Sequence, residues 1–312
     1  MDVEVSIGKI IEFLEDEKYV FSFRGNKNDT INGFSTLFNY RGETITFLSS
    51  LNKFSDYNNQ LKNEKIKLII IDTSESIYDC FENVIQIEKP KYAFFEVLDN
   101  FFSGKHNNTN ETLTKEKLYE GQAYISKQAV IGNNVKIGAG CVIEDNVHIG
   151  DNTVIHHNVV LKNGTKIGGN CLILSGTIIG ENGFNPLKQV DSTRNLLKHY
   201  GGVTIEDNVH IGDNCTISRG TIDDTLIKQG VKINKQVVIA HNVVIGQNTV
   251  ITAPTFVCGS VHIGENCHIA ATVIKNQCII HDNATLGLGA VVVKDVPKGV
   301  TVVGNPAKPL KK

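Results

Sequence analysis

A histidine, His241, interrupts the aliphatic run VVIAHNVVIGQN at residues 237–248, and 18 residues later a glycine, Gly259, stands in VCGS. An imidazole accepts a proton near neutral pH, and a glycine N–H without side-chain obstruction donates to a developing oxyanion. Side by side, the two are a base and an oxyanion donor suited to acyl transfer. They meet only if the chain returns to the same place every 18 residues; otherwise His241 is a surface histidine.

The surrounding sequence supplies that return. From Ala123 onward an aliphatic residue recurs at every sixth position: Ile125, Ile131 and so on to Ile179, then Ile205 to Ile217, then Ile227 to Ile269. A shortened step leads to Ile274 and on to Val292. Ala, Val, Thr or Cys stands two residues before each of them, and Gly often follows, as at Gly132, Gly150, Gly212 and Gly246. Strand side chains alternate faces, so the aliphatic residue and the small one point inward together, while the glycine suits a corner where a side chain is costly. Three hexapeptides close one coil, so the pattern predicts a mainly β protein with a hexapeptide parallel β-helix over residues 118–296. Between Gly180 and Gly202 the period breaks. Residues 181–202 are expected to protrude as a loop, either functional or a tolerated surface insertion.

Residues 1–102 read differently. IGKIIEFLED places Ile7, Ile10, Ile11 and Leu14 at helical spacing, KLIIIDTS at 67–74 reads as a buried strand, and PKYAFFEVLDNFF as a closing helix with Pro90 in its first turn. A small α/β domain is expected, then a polar linker at 103–117 and, beyond the β-helix, a tail at 297–312. Lys plus Arg (31) nearly balances Asp plus Glu (33), so bulk electrostatics give no attraction for nucleic acid. No stretch approaches the ~18 apolar residues that span a bilayer. The start carries acidic residues where a secretory signal carries basic ones, and a cytoplasmic location is expected. Cys141, Cys171, Cys215, Cys267 and Cys278 all occupy the small inward slot and read as packing residues; without paired CxxC spacing, no metal site is expected. His148, His210, His262 and His268 directly precede aliphatic residues and point outward, the last two on adjacent faces where they cannot share a metal.

The ordered run NCTISRGTIDDTLIKQGVKINKQVVIAHNVVIGQNT at 214–249 resembles the core of the UDP-3-O-acylglucosamine N-acyltransferases of lipid A assembly. ENGF at 181–184 resembles the start of their protruding loop, and GETITFLSSLNKF at 42–54 is similar to a stretch of their uridine-binding domain. The resemblance implies a left-handed winding, a homotrimer with sites in the grooves between prisms, and a sugar-nucleotide-binding role for residues 1–102. It implies that His241 is the general base, that Gly259 forms the oxyanion hole, that Phe47 stacks on the nucleotide base, and that Ser50 or Asn52 hydrogen-bonds it. Phe184, Asn234 and Asn242 complete the expected substrate contacts. Asp223 and Asp224 tether the sugar, orient His241 or form a phase-breaking turn.

Three departures shape the expectation. Asn234-Lys235 stands where the family carries Asp-Asn, Gln277 falls nearest the position of the family's second histidine, and the end, GLGAVVVKDVPKGVTVVGNPAKPLKK, resembles CoA-dependent sugar acetyltransferases. The preferred expectation is therefore an N-acyltransferase moving an acetyl or short acyl group from acyl-CoA, a co-substrate with no tightly bound cofactor beside it, to a nucleotide-linked amino sugar of a surface polysaccharide. Backbone amides near Ala271, Gly287 and Gly289 would hold the pantetheine arm, and Lys294 or Lys308 would meet the phosphates. The alternatives are an acyl carrier protein-dependent N-acyltransferase of lipid A assembly and a β-helix scaffold without chemistry.

Overall fold

The computed structural model describes residues 4–49, 65–72, 80–102, 123–188 and 194–310, and the chain divides into two units, Met1–Thr109 and Asn110–Lys312. In the first unit, Ile7, Ile10, Ile11 and Leu14 bury one stripe of helix α1 (Ile7–Asp16), and the Ser6 hydroxyl caps its first turn by accepting from Lys9 N. The apolar run becomes the strand Ile66–Ile71, buried at every position except Lys67. That strand is central in a five-stranded sheet, between Phe81–Ile87 and Thr44–Leu48, with Gly33–Phe34 and the antiparallel Phe21–Arg24 at the edges. Helix α2 (Pro90–Phe101) starts at its proline. Phe47 is half-buried, its ring 4.8 Å from that of Phe94 and 6.1 Å from that of Phe95, both on α2. The two α2 rings therefore cover part of the Phe47 ring. Ser50, Asn52 and the expected linker at 103–117 lie outside the described residues.

The second unit is a parallel β-helix of three sheets. Its first face holds the strand Val238–Ile239, its second Val244–Ile245 and its third Val250–Ile251. Ile239 pairs with Val257, the return of 18 residues that the repeat requires. The shortened step is a shorter coil, in which Phe256 pairs with Val273. Inward residues stack in ladders: Ile217, Ile239, Val257 and Ile274 climb the first face, each fully buried. Each such side chain contributes about 1.5–3 kcal/mol of burial, which is why the stack coheres without helices. Cys141, Cys171, Cys215, Cys267 and Cys278 are buried free thiols in the small slot, and burial pushes their pKa values up.

At the corners a side chain in place of the glycine is costly, as expected, because the next coil lies close. The residue in the left-handed region is the asparagine two positions after the glycine, for example Asn134 (φ 56°), Asn152 (φ 58°) and Asn248 (φ 56°), because a short amide side chain tolerates that conformation. The glycines are needed for inter-coil approach instead: a Cβ on Gly212 would lie 2.4 Å from Lys235 N, and one on Gly246 2.4 Å from the Gly264 carbonyl carbon. The expected tail at 297–312 carries strands of its own. Thr301–Val303 continues the third sheet beside Thr285–Leu286, and Lys308–Pro309 folds back antiparallel on it. No described helix is long and apolar enough to cross a membrane.

Candidate active site

His241 stands at the corner between the first and second faces, two residues after Ile239. One coil further on, Ser260 N donates to His241 O at 2.9 Å, which brings Gly259 against the imidazole. A Cβ built on Gly259 would lie 2.8 Å from both Cε1 and Nε2 of His241. Only glycine leaves room for the ring there. Among the described residues Gly259 N–H donates to no other group and so is available to an oxyanion.

The ring's tautomer follows from its neighbour. His241 Nδ1 lies 2.9 Å from Asn242 Oδ1, and the same oxygen accepts from Thr221 N at 3.2 Å and Thr221 Oγ1 at 3.0 Å. A backbone N–H only donates, so the amide group at this point is the oxygen and Nδ1 carries the proton. The lone pair of the neutral imidazole is left on Nε2, the nitrogen facing Gly259. Asn242 itself sits at φ 60° and its N–H donates to Thr225 Oγ1 at 3.0 Å, so its geometry is set from two sides. The Asn242 amide oxygen, expected among the substrate contacts, is thus turned inward to His241 and Thr221.

The insertion builds the opposite wall. It leaves the coil after Ile178–Glu181, forms a small hairpin from Pro186–Lys188 and Arg194–Leu196, and returns at Gly202. Gly183 on its outgoing limb packs on the imidazole: a Cβ there would lie 2.8 Å from Cδ2 of His241 and 3.1 Å from Nε2 of His199. His241 is thus slotted between two glycines, Gly183 on the loop and Gly259 on the next coil. His199, on the returning limb, is buried with its ring centroid 5.2 Å from that of His241.

Both roots of the insertion are pinned. The buried Arg219 guanidinium donates through Nε to Gly180 O at 2.8 Å and through a terminal nitrogen to Asn163 O, and burial lowers its pKa. At the other root the Asp224 carboxylate accepts from Gly202 N at 2.7 Å and Thr204 Oγ1 at 2.6 Å. Arg219→Met leaves two enclosed carbonyls without donors. The expected loss is about 2 kcal/mol of stability, read as a lower urea midpoint at unchanged m value, with Arg219→Lys failing to restore it.

The other expected residues scatter. Phe184 follows Gly183 and is 79% exposed. Asp223 is half-buried in the turn before Asp224. Asn234 is exposed at the corner between the third and first faces, where its own Oδ1 accepts from Lys235 N. Ala271 and Gly289 share that corner in later coils, with Gly289 N donating to Ala271 O at 3.0 Å, and Gly287 stands two residues before Gly289. Within one chain, these proposed donor contacts stand one strand away from His241. Gln277 N donates to Gly259 O at 3.0 Å, and the exposed Lys294 follows on the same corner line as His241. Lys308 is exposed in the antiparallel end strand. Gly183, His199, Thr221 and Arg219 were not singled out from the sequence; only the ENGF resemblance pointed toward one of them.

The geometry has counterparts among known proteins. Residues 128–163 match the family described as bacterial transferase hexapeptide (six repeats), and residues 202–247 and 236–274 match the hexapeptide repeat of succinyl-transferase. The chain is 31% identical over 109 residues to the UDP-3-O-acylglucosamine N-acyltransferase of Bordetella parapertussis, a match covering 35% of this chain and 30% of the relative. It is 35% identical over 117 residues to the protein of the same name from a Caulobacter species, covering 37% and 34%. The chain thus spans about a third of the length of these relatives. Among solved structures, the UDP-N-acetylglucosamine O-acyltransferase of Moraxella catarrhalis superposes with a TM-score of 0.55 at 32% identity, covering 60% of this chain and 71% of that one. The shared architecture is the left-handed parallel β-helix.

Proposed function

The chain belongs to the hexapeptide-repeat acyltransferases, and on that premise we propose that it transfers an acyl group from a thioester to the amine of a UDP-linked amino sugar of the 3-O-acylglucosamine class. The observation that carries this reading is the His241 slot, with Nδ1 held by Asn242 and Nε2 turned toward Gly259. The sugar nitrogen attacks the thioester carbonyl carbon, a C–N bond forms, and the carbonyl oxygen becomes an oxyanion that Gly259 N–H stabilises. His241 Nε2 takes the proton released by nitrogen and returns it to the sulfur as the C–S bond breaks. A thioester is already activated, so the step requires neither a metal nor a covalent enzyme intermediate.

The acceptor in the relatives' name supports the lipid A reading, whose donor is an acyl carrier protein, over the acyl-CoA donor preferred from the tail sequence. Acyl-CoA stands as the second reading, supported by the GNPAK-containing end. We place the site in a homotrimer, supported by the outward ladder of the first face, Val160, Ile178, Thr216, Val238, Phe256, Val273 and Val291, apolar at every rung but Thr216 and suited to burial against a second copy.

Thiol release and product mass test both donor and acceptor. UDP-3-O-acylglucosamine with acyl carrier protein is expected to turn over. Turnover confined to acetyl-CoA and a nucleotide amino sugar lacking the 3-O-acyl chain would establish the second reading. Absence of thiol release from every pair would leave the scaffold.

A further inference from the structure

We propose that His199 is a positioning residue of this site, holding the His241 imidazole in its reactive orientation by packing against it; the proposal rests on the reading of His241 as the base. The His199 side chain is fully buried, 0% exposed, and its ring is tilted 56° to that of His241. Gly183 touches both rings, so any side chain at that position drives them apart. The limb bearing His199 is fixed by its backbone: Tyr200 N donates to Thr221 O at 2.9 Å and Gly201 N to Gly220 O at 3.0 Å. Thr221 is also the residue whose N–H and hydroxyl hold Asn242. One short segment therefore places both the acceptor for His241 Nδ1 and the ring that packs beside it.

This coupling has a mechanical meaning. A histidine at a coil corner has two side-chain torsions, and a single hydrogen bond at Nδ1 leaves the ring free to swing about that contact. A second ring against its flank removes the swing and keeps Nε2 toward Gly259. The insertion is then a working wall of the site, and its departure from the hexapeptide period is what delivers an imidazole to a corner that the coils alone leave open.

The test uses the full chain with His199→Ala and His199→Phe, and His241→Ala in parallel. His199→Ala is expected to lower kcat roughly 10- to 100-fold, the scale of a misplaced catalytic group, with KM for both substrates nearly unchanged. His199→Phe, which keeps a ring, restores most of the rate. A second readout needs no substrate: in 15N-histidine-labelled protein the His241 resonances, identified by their loss in His241→Ala, report one tautomer with the proton on Nδ1. In His199→Ala these ring signals broaden or average, and in His199→Phe they return. Unchanged ring signals in His199→Ala overturn the proposal, as does rescue by His199→Gln and not by His199→Phe. Full turnover in His241→Ala defeats the base reading instead, and the ring signals then decide the packing role alone.

Discussion

His241→Ala is expected to lower kcat/KM by about 100- to 10,000-fold, the range a positioned general base contributes. The loss falls on kcat more than on KM, because the base acts on a proton that moves only as nitrogen attacks. Stability should change little. His241 is half-exposed at a corner and takes no part in the inward ladder, while its carbonyl, which accepts from Ser260 N, survives the substitution. The Asn242→Ala protein sets the scale of orientation: it keeps the imidazole but removes the acceptor that fixes the proton on Nδ1, so a smaller loss is expected than from removing the ring. An unchanged kcat/KM in His241→Ala would remove this residue from the chemistry and with it the proposed mechanism.

The coils were legible in the sequence because their periodicity is physical: a fixed inward slot must be aliphatic at one position and small two before it, and nothing outside the chain is needed to enforce that. The return from His241 to Gly259 followed from counting, and the structure places them in contact. The insertion was legible only as an interruption. Its contribution to the site depends on where its two limbs re-enter the coil. That is decided by Arg219 and Asp224 bonding to backbone carbonyls and amides many residues away, and such contacts leave no period. His199 carried no signal for the same reason: it lies outside the repeat in a polar stretch, and its partner is 42 residues downstream. The corner glycines were legible in place and in the cost of a side chain there. A glycine needed for inter-coil approach and one needed for positive φ look identical in a sequence, and only the asparagine two residues later, already present in the string, distinguishes them.

Gly259→Ala and Gly183→Ala should each lower kcat/KM by about 100-fold, the cost of displacing a catalytic group by roughly 1 Å. The argument is steric. A methyl group at either position falls 2.8 Å from an atom of the His241 ring, closer than van der Waals contact permits, so the imidazole must move. Neither glycine has a positive φ, so alanine adds no backbone strain at either site, and the melting temperature should stay near that of the parent protein. That separation of activity from stability distinguishes a slot for the base from a packing defect. The two variants then diverge in a His241→Ala background, because effects on groups that act as a unit are not additive. Gly183→Ala works only through the ring and should cost nothing further once the ring is gone. Gly259→Ala also crowds the space beside the N–H assigned to the oxyanion, and should retain a further loss. Equal and full activity of both single variants would mean that the imidazole does not occupy the slot during turnover.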